Sequence, residues 1–370
     1  MTRLGDVCEI RYGKDHKKLS DGSIPAYGSG GIIRYVDTAI CEKPSVLIPR
    51  KGTLGNLFYT DKPFWTVDTL FWTDIDQTKI VPKYLYYQLK QKDLASYNVG
   101  TAVPSLTVEV LNEIDLDVPS IDKQRRIVEV LNSFDSKIAL NNQLNDYLEQ
   151  LCQSLFNRFD NDENNPFVKV SDIADVNPRR TLKKGEEALC IEMADLSTTG
   201  AFPTDWRTKA YNGGVKFVNG DTILARITPC LENGKAGYIN FLEQDEVAFG
   251  STEYIVLTSK GELPSEFFYF LARNEDFISY ATAHMNGSSG RQRVSGSDVG
   301  NYEVRMPSEK QISEFRKIAG NAMRVISASS IESRKLAQLR DALLPKLMSG
   351  EIDASKVELT QLTNNHLADC

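Results

Sequence analysis

The side chains of this chain best equipped to hold an anion are arginines and lysines on glycine-flanked segments. Early in the chain these segments are Tyr27-Gly28-Ser29-Gly30-Gly31, with Arg34 just beyond it, Arg50-Lys51-Gly52-Thr53 and Gly100-Thr101-Ala102. Later they are Asn177-Pro178-Arg179-Arg180, Asn233-Gly234-Lys235 and Gly287-Ser288-Ser289-Gly290-Arg291-Gln292-Arg293. Glycine lets a backbone approach a phosphate closely, and arginine can grip a phosphate or the O6/N7 edge of guanine. The candidate contacts are Tyr27, Ser29, Arg34, Arg50, Lys51, Arg179, Arg180, Arg226, Lys235, Arg291 and Arg293. One such loop alone is a weak signal, because Gly-Ser loops are mostly turns. Arg50 and Arg226 are a stronger one, since each follows an equivalent strand-like run. Either could equally be a structural ion pair.

Catalytic constellations are missing. Asn177-Pro178-Arg179-Arg180 fails the third and fourth positions of the Asn/Asp-Pro-Pro-aromatic motif of adenine methyltransferases, and reads as a turn. Tyr27–Gly31 follows no βαβ unit, which makes it a poor cofactor loop. There is no Gly-x4-Gly-Lys-Ser/Thr loop for ATP-driven translocation. His16, His284 and His366 show no H-x-x-H spacing, and the six cysteines form no C-x-x-C pair. Neither a zinc site nor a disulfide framework is expected, and a reducing cytoplasm fits best. Acid pairs such as Asp74/Asp76 and Glu243/Asp245 read as solvated surface. The chain reads as non-catalytic, without cofactor or metal.

The elements that carry these loops are written twice. Leu4-Gly5-Asp6-Val7 recurs as Val170-Ser171-Asp172-Ile173, and Val46-Leu47-Ile48-Pro49-Arg50 as Thr222-Ile223-Leu224-Ala225-Arg226. Asp68-Thr69-Leu70-Phe71 aligns with Ser251-Thr252-Glu253-Tyr254, and Val118-Pro119-Ser120 with Met306-Pro307-Ser308. The offsets drift in steps, as loops of different length on a shared scaffold require. A period this long is a duplicated domain, not a solenoid unit. Strand-like runs are Ser45–Pro49, Thr66–Thr73, Thr222–Ile227 and Tyr254–Thr258, with amphipathic helices over Lys83–Lys90 and Ser265–Arg273. Each half, residues 1–120 and 167–308, is expected to be a compact α+β domain.

Each copy ends in a long helix, over 121–160 and 309–350. Ile127, Leu131, Phe134, Ile138, Asn141, Asn145, Leu148, Cys152, Leu155 and Phe159 form an a/d seam. Phe315, Ala319, Ala322, Ile326, Ser329, Ser333, Leu336, Arg340, Leu343 and Leu347 repeat it 188 positions on. Roughly 35 residues would span about 50 Å, too long for burial within a small domain. The obvious partner of each rod is the other, packed antiparallel. Asn141 and Asn145 facing Ser329 or Ser333 either fix the register through a polar seam or mark a kink that meets solvent. Lys123-Gln124 and Lys310-Gln311 are offset by 187, one short of the seam. Pro345 is expected to kink the last turns, and residues 351–370 to form a poorly ordered tail.

At 370 residues, with 41% hydrophobic and 25% charged residues, the chain is long enough for two or three globular domains. It has no membrane-length apolar run and no signal-like N-terminal one, so membrane insertion and secretion are not expected. The net charge of −7 does not mark a strongly basic nucleic-acid binder, although cations can be segregated on one face.

Variable domain, Pro-Ser junction, long helix, second variable domain, second long helix: this order resembles the specificity subunits of type I restriction–modification enzymes. The residues that carry the resemblance are Ile24-Pro25-Ala26-Tyr27-Gly28-Ser29-Gly30-Gly31-Ile32, Val118-Pro119-Ser120-Ile121-Asp122-Lys123-Gln124-Arg125-Arg126-Ile127, and the stretch from Leu339-Arg340-Asp341 to Gly350-Glu351-Ile352. Met306-Pro307-Ser308-Glu309-Lys310-Gln311 departs from the first junction by one residue. The resemblance implies an α+β chain with two target recognition domains separated by two long antiparallel helices forming a coiled coil. It implies a bipartite double-stranded DNA target, two methyltransferase subunits and restriction/translocase subunits. The family supplies no fixed base-reading residues, so the candidate DNA contacts rest on the loops above. The competing reading is a diverged DNA-modification enzyme with its own methyltransferase activity.

Overall fold

The structure is a computed structural model that describes residues 2–288 and 290–358. The chain divides into two compact units. One holds the residues up to Ser136 and those from Gln338 on, the other Lys137–Ala337.

The first unit is built on an antiparallel four-stranded sheet in the order Cys8–Tyr12, Leu70–Ile75, Ser45–Pro49, Phe58–Thr60. Ser45–Pro49 is buried along its whole length, which explains its run of apolar residues without alternation. A second sheet orders Gly31–Val36, Asp21–Gly28 and Trp65–Thr66, the last pair parallel. The expected strand Thr66–Thr73 is therefore two strands in two sheets. Leu70 donates to the Val67 carbonyl at 3.0 Å, and that turn carries the chain from one sheet to the other. The helix Pro82–Lys90 covers the core with Tyr84, Leu85, Tyr87 and Leu89.

The second unit repeats this plan. Its four-stranded sheet runs Ala174–Val176, Tyr254–Ser259, Thr222–Ala225, Ala236–Tyr238, again antiparallel. Its other sheet runs Arg207–Ala210, Glu187–Ile191, Ala248–Gly250, Val215–Phe217, with the middle pair parallel. The ladders correct one alignment made from sequence. Pro49 pairs with Leu70 and Ala225 with Tyr254, so Leu70 corresponds to Tyr254, one residue further along than residue matching had placed it. The helix Glu266–Ala272 packs on the sheet and Glu275–Ala283 packs against that helix, and the second of them had no counterpart among the expected elements.

The long helices run Ile121–Asp160 and Glu309–Ser349, and the second continues through Pro345. In the first unit Arg340 Nη1 donates to Asp135 at 2.7 Å and Lys123 lies next to Gly350, while Ile127, Leu131, Phe134, Leu344 and Leu347 are each buried. In the second unit Phe159 meets Phe315 with ring centroids 5.8 Å apart, and Asn145 Nδ2 donates to Ser330 at 3.1 Å. Residue numbers rise on one helix as they fall on the other, so within each unit the segments are antiparallel. The polar pairs fix register. Asn141 Nδ2 donates to Glu332 at 2.7 Å and Ser333 at 3.2 Å, and Ser329 Oγ to Asn145 Oδ1 at 2.6 Å.

The one-residue slip at the helix starts also has a cause. Ser308 and Gln311 form an N-terminal capping pair, Ser308 N donating to Gln311 Oε1 at 2.8 Å. Gln124 instead sits one position deeper, fully buried, accepting from Val81 N at 2.8 Å and donating to the Pro119 carbonyl at 2.8 Å. The stretch after Gly350 is not wholly loose. Ala354 is buried, and Arg126 donates to the carbonyls of Ala354 and Val357 at 3.0 and 2.6 Å. Residues 359–370 of the expected tail lie outside the described residues.

Candidate nucleic-acid interface

In both units the glycine-rich loops named from sequence meet at the end of a buried strand. In the first unit, Arg50 follows Ser45–Pro49, and its carbonyl accepts Leu106 N at 2.9 Å. Lys51 bridges to Ser105, and Gly52 N donates to the Pro104 carbonyl at 3.1 Å. In the second unit, the Arg226 carbonyl accepts Val294 N at 3.0 Å, Ile227 bridges to Arg293, and Thr228 N donates to Gln292 at 3.1 Å. The two ladders match rung for rung. They bring Pro104–Leu106, just after Gly100–Ala102, beside Arg50–Gly52, and Gln292–Val294 beside Arg226–Thr228.

The first unit adds a hairpin to this loop pair. Gly28 pairs with Gly31 around Ser29-Gly30, and Gly31 has φ +120°, a conformation that favours glycine. Asn56 Nδ2 donates to the Ser29 carbonyl at 2.8 Å, tying the hairpin to the loop after Arg50. Tyr27 is half-buried against Phe58, centroids 5.8 Å apart, and burial raises its hydroxyl above its ordinary pKa.

The cations separate into committed and free. Arg34 binds Asp21 at 2.5 Å and the Leu19 carbonyl at 3.3 Å. Arg180 binds both oxygens of the fully buried Asp221 at 3.0 and 3.1 Å. Lys235 Nζ donates to the Met193 carbonyl at 2.8 Å. Arg50 lies over the Tyr12 ring at 5.3 Å and donates to the Asp68 carbonyl at 3.2 Å. Arg293 binds Glu253 through Nε and Nη2, both at 2.8 Å. Arg226 is half-buried, its Nε without a hydrogen-bond partner among the described residues, and its charge joins Arg293 in holding the Glu253 carboxyl below its usual range. Lys51, Arg179 and Arg291 are exposed, and among the described residues their side chains have no hydrogen-bonding or ionic partner. Asn177 explains the exposure of Arg179: at φ 56° it exchanges hydrogen bonds with Val256, and the turn sends Arg179 outward and Arg180 to Asp221.

Two participants were missed from sequence, Tyr12 and Glu253. Neither stands in a glycine-rich loop, and each reaches its arginine across a strand pair. Among the described residues no cluster of histidine, cysteine or carboxylate residues could hold a metal ion, and no helix is long and apolar enough to cross a membrane.

A duplicated ladder thus holds loops of different length and charge at equivalent places in the two units. Residues 1–150 match the family described as type I restriction modification DNA specificity domain. The type I restriction enzyme MjaIX specificity subunit of Methanocaldococcus jannaschii is 23% identical, over 86% of this chain and 80% of that protein. The HindI specificity subunit of Haemophilus influenzae is 21% identical, over 74% of this chain and 78% of that protein. A crystal structure of the type I restriction–modification system S subunit from M. genitalium shares the fold, with a TM-score of 0.60 at 17% identity over 93% of this chain and 94% of that one. Residues 1–150 thus match the specificity-domain family, and over most of its length the chain is similar to these subunits.

Proposed function

We propose that this chain is the DNA-recognition subunit of a type I restriction–modification complex, each unit reading one half of a bipartite duplex target. The observation that carries the reading is the repeated ladder that presents a basic loop pair in each unit. Lys51, Arg179 and Arg291 hold backbone phosphates. Arg50 and Arg226 root the loops that approach the duplex, and Tyr27 and Ser29 belong to the hairpin beside the first. Arg34, Arg180 and Lys235 hold those loops in shape from within. The negative net charge is compatible with this division, because the cations concerned are few and exposed.

The chain acts without a cofactor, in the cytoplasm, and scaffolds two methyltransferase subunits and the restriction/translocase subunits. Sequencing the methylated bases of the source cell tests the reading: a split motif is expected, and an uninterrupted motif or none would overturn it. The purified chain alone should neither bind S-adenosylmethionine nor methylate DNA.

A further inference from the structure

We infer that Arg293, clamped by Glu253, is the residue with which the second unit reads a guanine. The inference rests on the DNA-recognition reading and deepens it by assigning a base to a residue. A guanidinium carries five N–H groups. Arg293 uses Nε and Nη2 on the two oxygens of Glu253, and Nη1 on the Arg291 carbonyl at 2.9 Å. One hydrogen is left on each of Nη1 and Nη2, the pair of donors that matches O6 and N7 of guanine in the major groove.

Three features separate this arginine from an ordinary surface ion pair. Its backbone is fixed on both sides, by bridges to Ile227 and Asn286. Its side chain stays 37% exposed, so the remaining donors are open to a ligand. It stands at the root of a loop whose Gly287 and Gly290 have φ of +127° and +76°, and a loop without side chains at those points lets a duplex come close. Glu253 removes the rotamer freedom that a free arginine would lose on binding, and Arg226 beside it leaves the cluster with a net positive charge. Arg291, exposed and unpartnered among the described residues, lacks this preorganisation and suits a phosphate.

The first unit has no such device. The residue at the place of Arg293 on the matching ladder is Ser105, and the strand that supplies Glu253 offers Thr69 there: Arg50 N donates to the Thr69 carbonyl at 2.9 Å as Arg226 N does to that of Glu253. The guanine read by this pair lies in the half-site of the second unit.

The test is selection of a randomised duplex library by the full chain, co-assembled with its methyltransferase subunits, as wild type, Arg293→Lys, Glu253→Gln and Arg291→Ala. Thermal melting first verifies that each variant is folded. Wild type should enrich a split motif with a fixed guanine in one half. Arg293→Lys and Glu253→Gln should lose preference at that one position, about ten- to hundredfold, and keep the rest of the motif. Replacing that guanine by 7-deazaguanine should weaken wild type and leave Arg293→Lys unaffected. Arg291→Ala should keep the motif and bind every sequence less tightly. Folded Arg293→Lys that still demands the same guanine overturns the inference and leaves DNA recognition standing. Wild type that enriches no motif overturns both.

Discussion

At the scale of single residues, what separates one arginine from another is the partner it already has. Arg180 and Arg179 are neighbours in sequence with opposite fates. Arg180 neutralises Asp221, which also accepts from Val218 N at 2.8 Å and from the Thr258 hydroxyl at 2.5 Å. Removing Arg180 strands a buried carboxylate, so Arg180→Ala should cost about 3 kcal/mol or more of stability in denaturant unfolding. Arg179→Ala should leave stability within about 0.5 kcal/mol and lower DNA affinity evenly across sequences, with a shallower salt dependence. Equal destabilisation by the two would contradict the division into committed and free cations. None of this can be read along the chain. Asp221 stands 41 residues from Arg180 and Glu253 stands 40 from Arg293, and contacts across such distances leave no local trace in the sequence.

At the scale of elements, the long helices were the easiest to find, because a 3.6-residue period recurs many times and averages out exceptions. Their limits, Ile121–Asp160 and Glu309–Ser349, follow the Pro-Ser junctions and the polar linker. The strand at Thr66–Thr73 was misread because only Asp68 interrupts its β-branched, aliphatic and aromatic residues, and it marks the turn at which the chain changes sheet. The pairing of the glycine-rich loops was hidden for the same reason as the ion pairs, since each rung joins segments far apart in sequence. The polar seam yields a test. Asn141 is buried with donors to Ser329, Glu332 and Ser333, so Asn141→Ala should destabilise the second unit by roughly 1–3 kcal/mol. Asn141→Leu should recover much of that loss, because an apolar seam can replace a polar one while giving up its register signal.

The first unit answers to pH through its own helix pair. Burial works against the charge of Asp135, yet hydrogen bonds from Tyr87 at 2.6 Å and Arg340 at 2.7 Å, and Lys83 nearby, outweigh it and hold the carboxyl below 3.8. The folded state therefore binds that proton less readily than the unfolded chain does. The stabilisation is complete above the unfolded pKa and is lost as pH falls through the lowered folded value. Denaturant midpoints at about pH 6 and about pH 3 should differ more in wild type than in Arg340→Gln, whose Asp135 lacks its guanidinium partner. An identical acid response in both would remove the pair from the account.

At the scale of the whole molecule, duplication predicts two equivalent surfaces for two partner subunits, but the surfaces of the long helices are not equivalent. Leu140, Leu144, Tyr147 and Leu151 lie on the first helix at alternating spacings of four and three, 60%, 43%, 60% and 50% exposed. The positions 188 further on are Ala328, Glu332, Lys335 and Leu339, a set whose two central members are charged. Four large apolar side chains in one stripe on a helix exceed the scattered exposure of a free surface and suit an amphipathic helix of a partner. Because they are already exposed, Leu140→Lys with Tyr147→Lys should change the unfolding midpoint of the chain little. In the co-expressed complex the same double variant should lose the methyltransferase copy held on the first helix and keep the other. Native mass spectrometry should then register one copy where wild type is expected to carry two. Two copies retained by the variant would show that the stripe is not a docking face, and no copies retained would show that both partners depend on it.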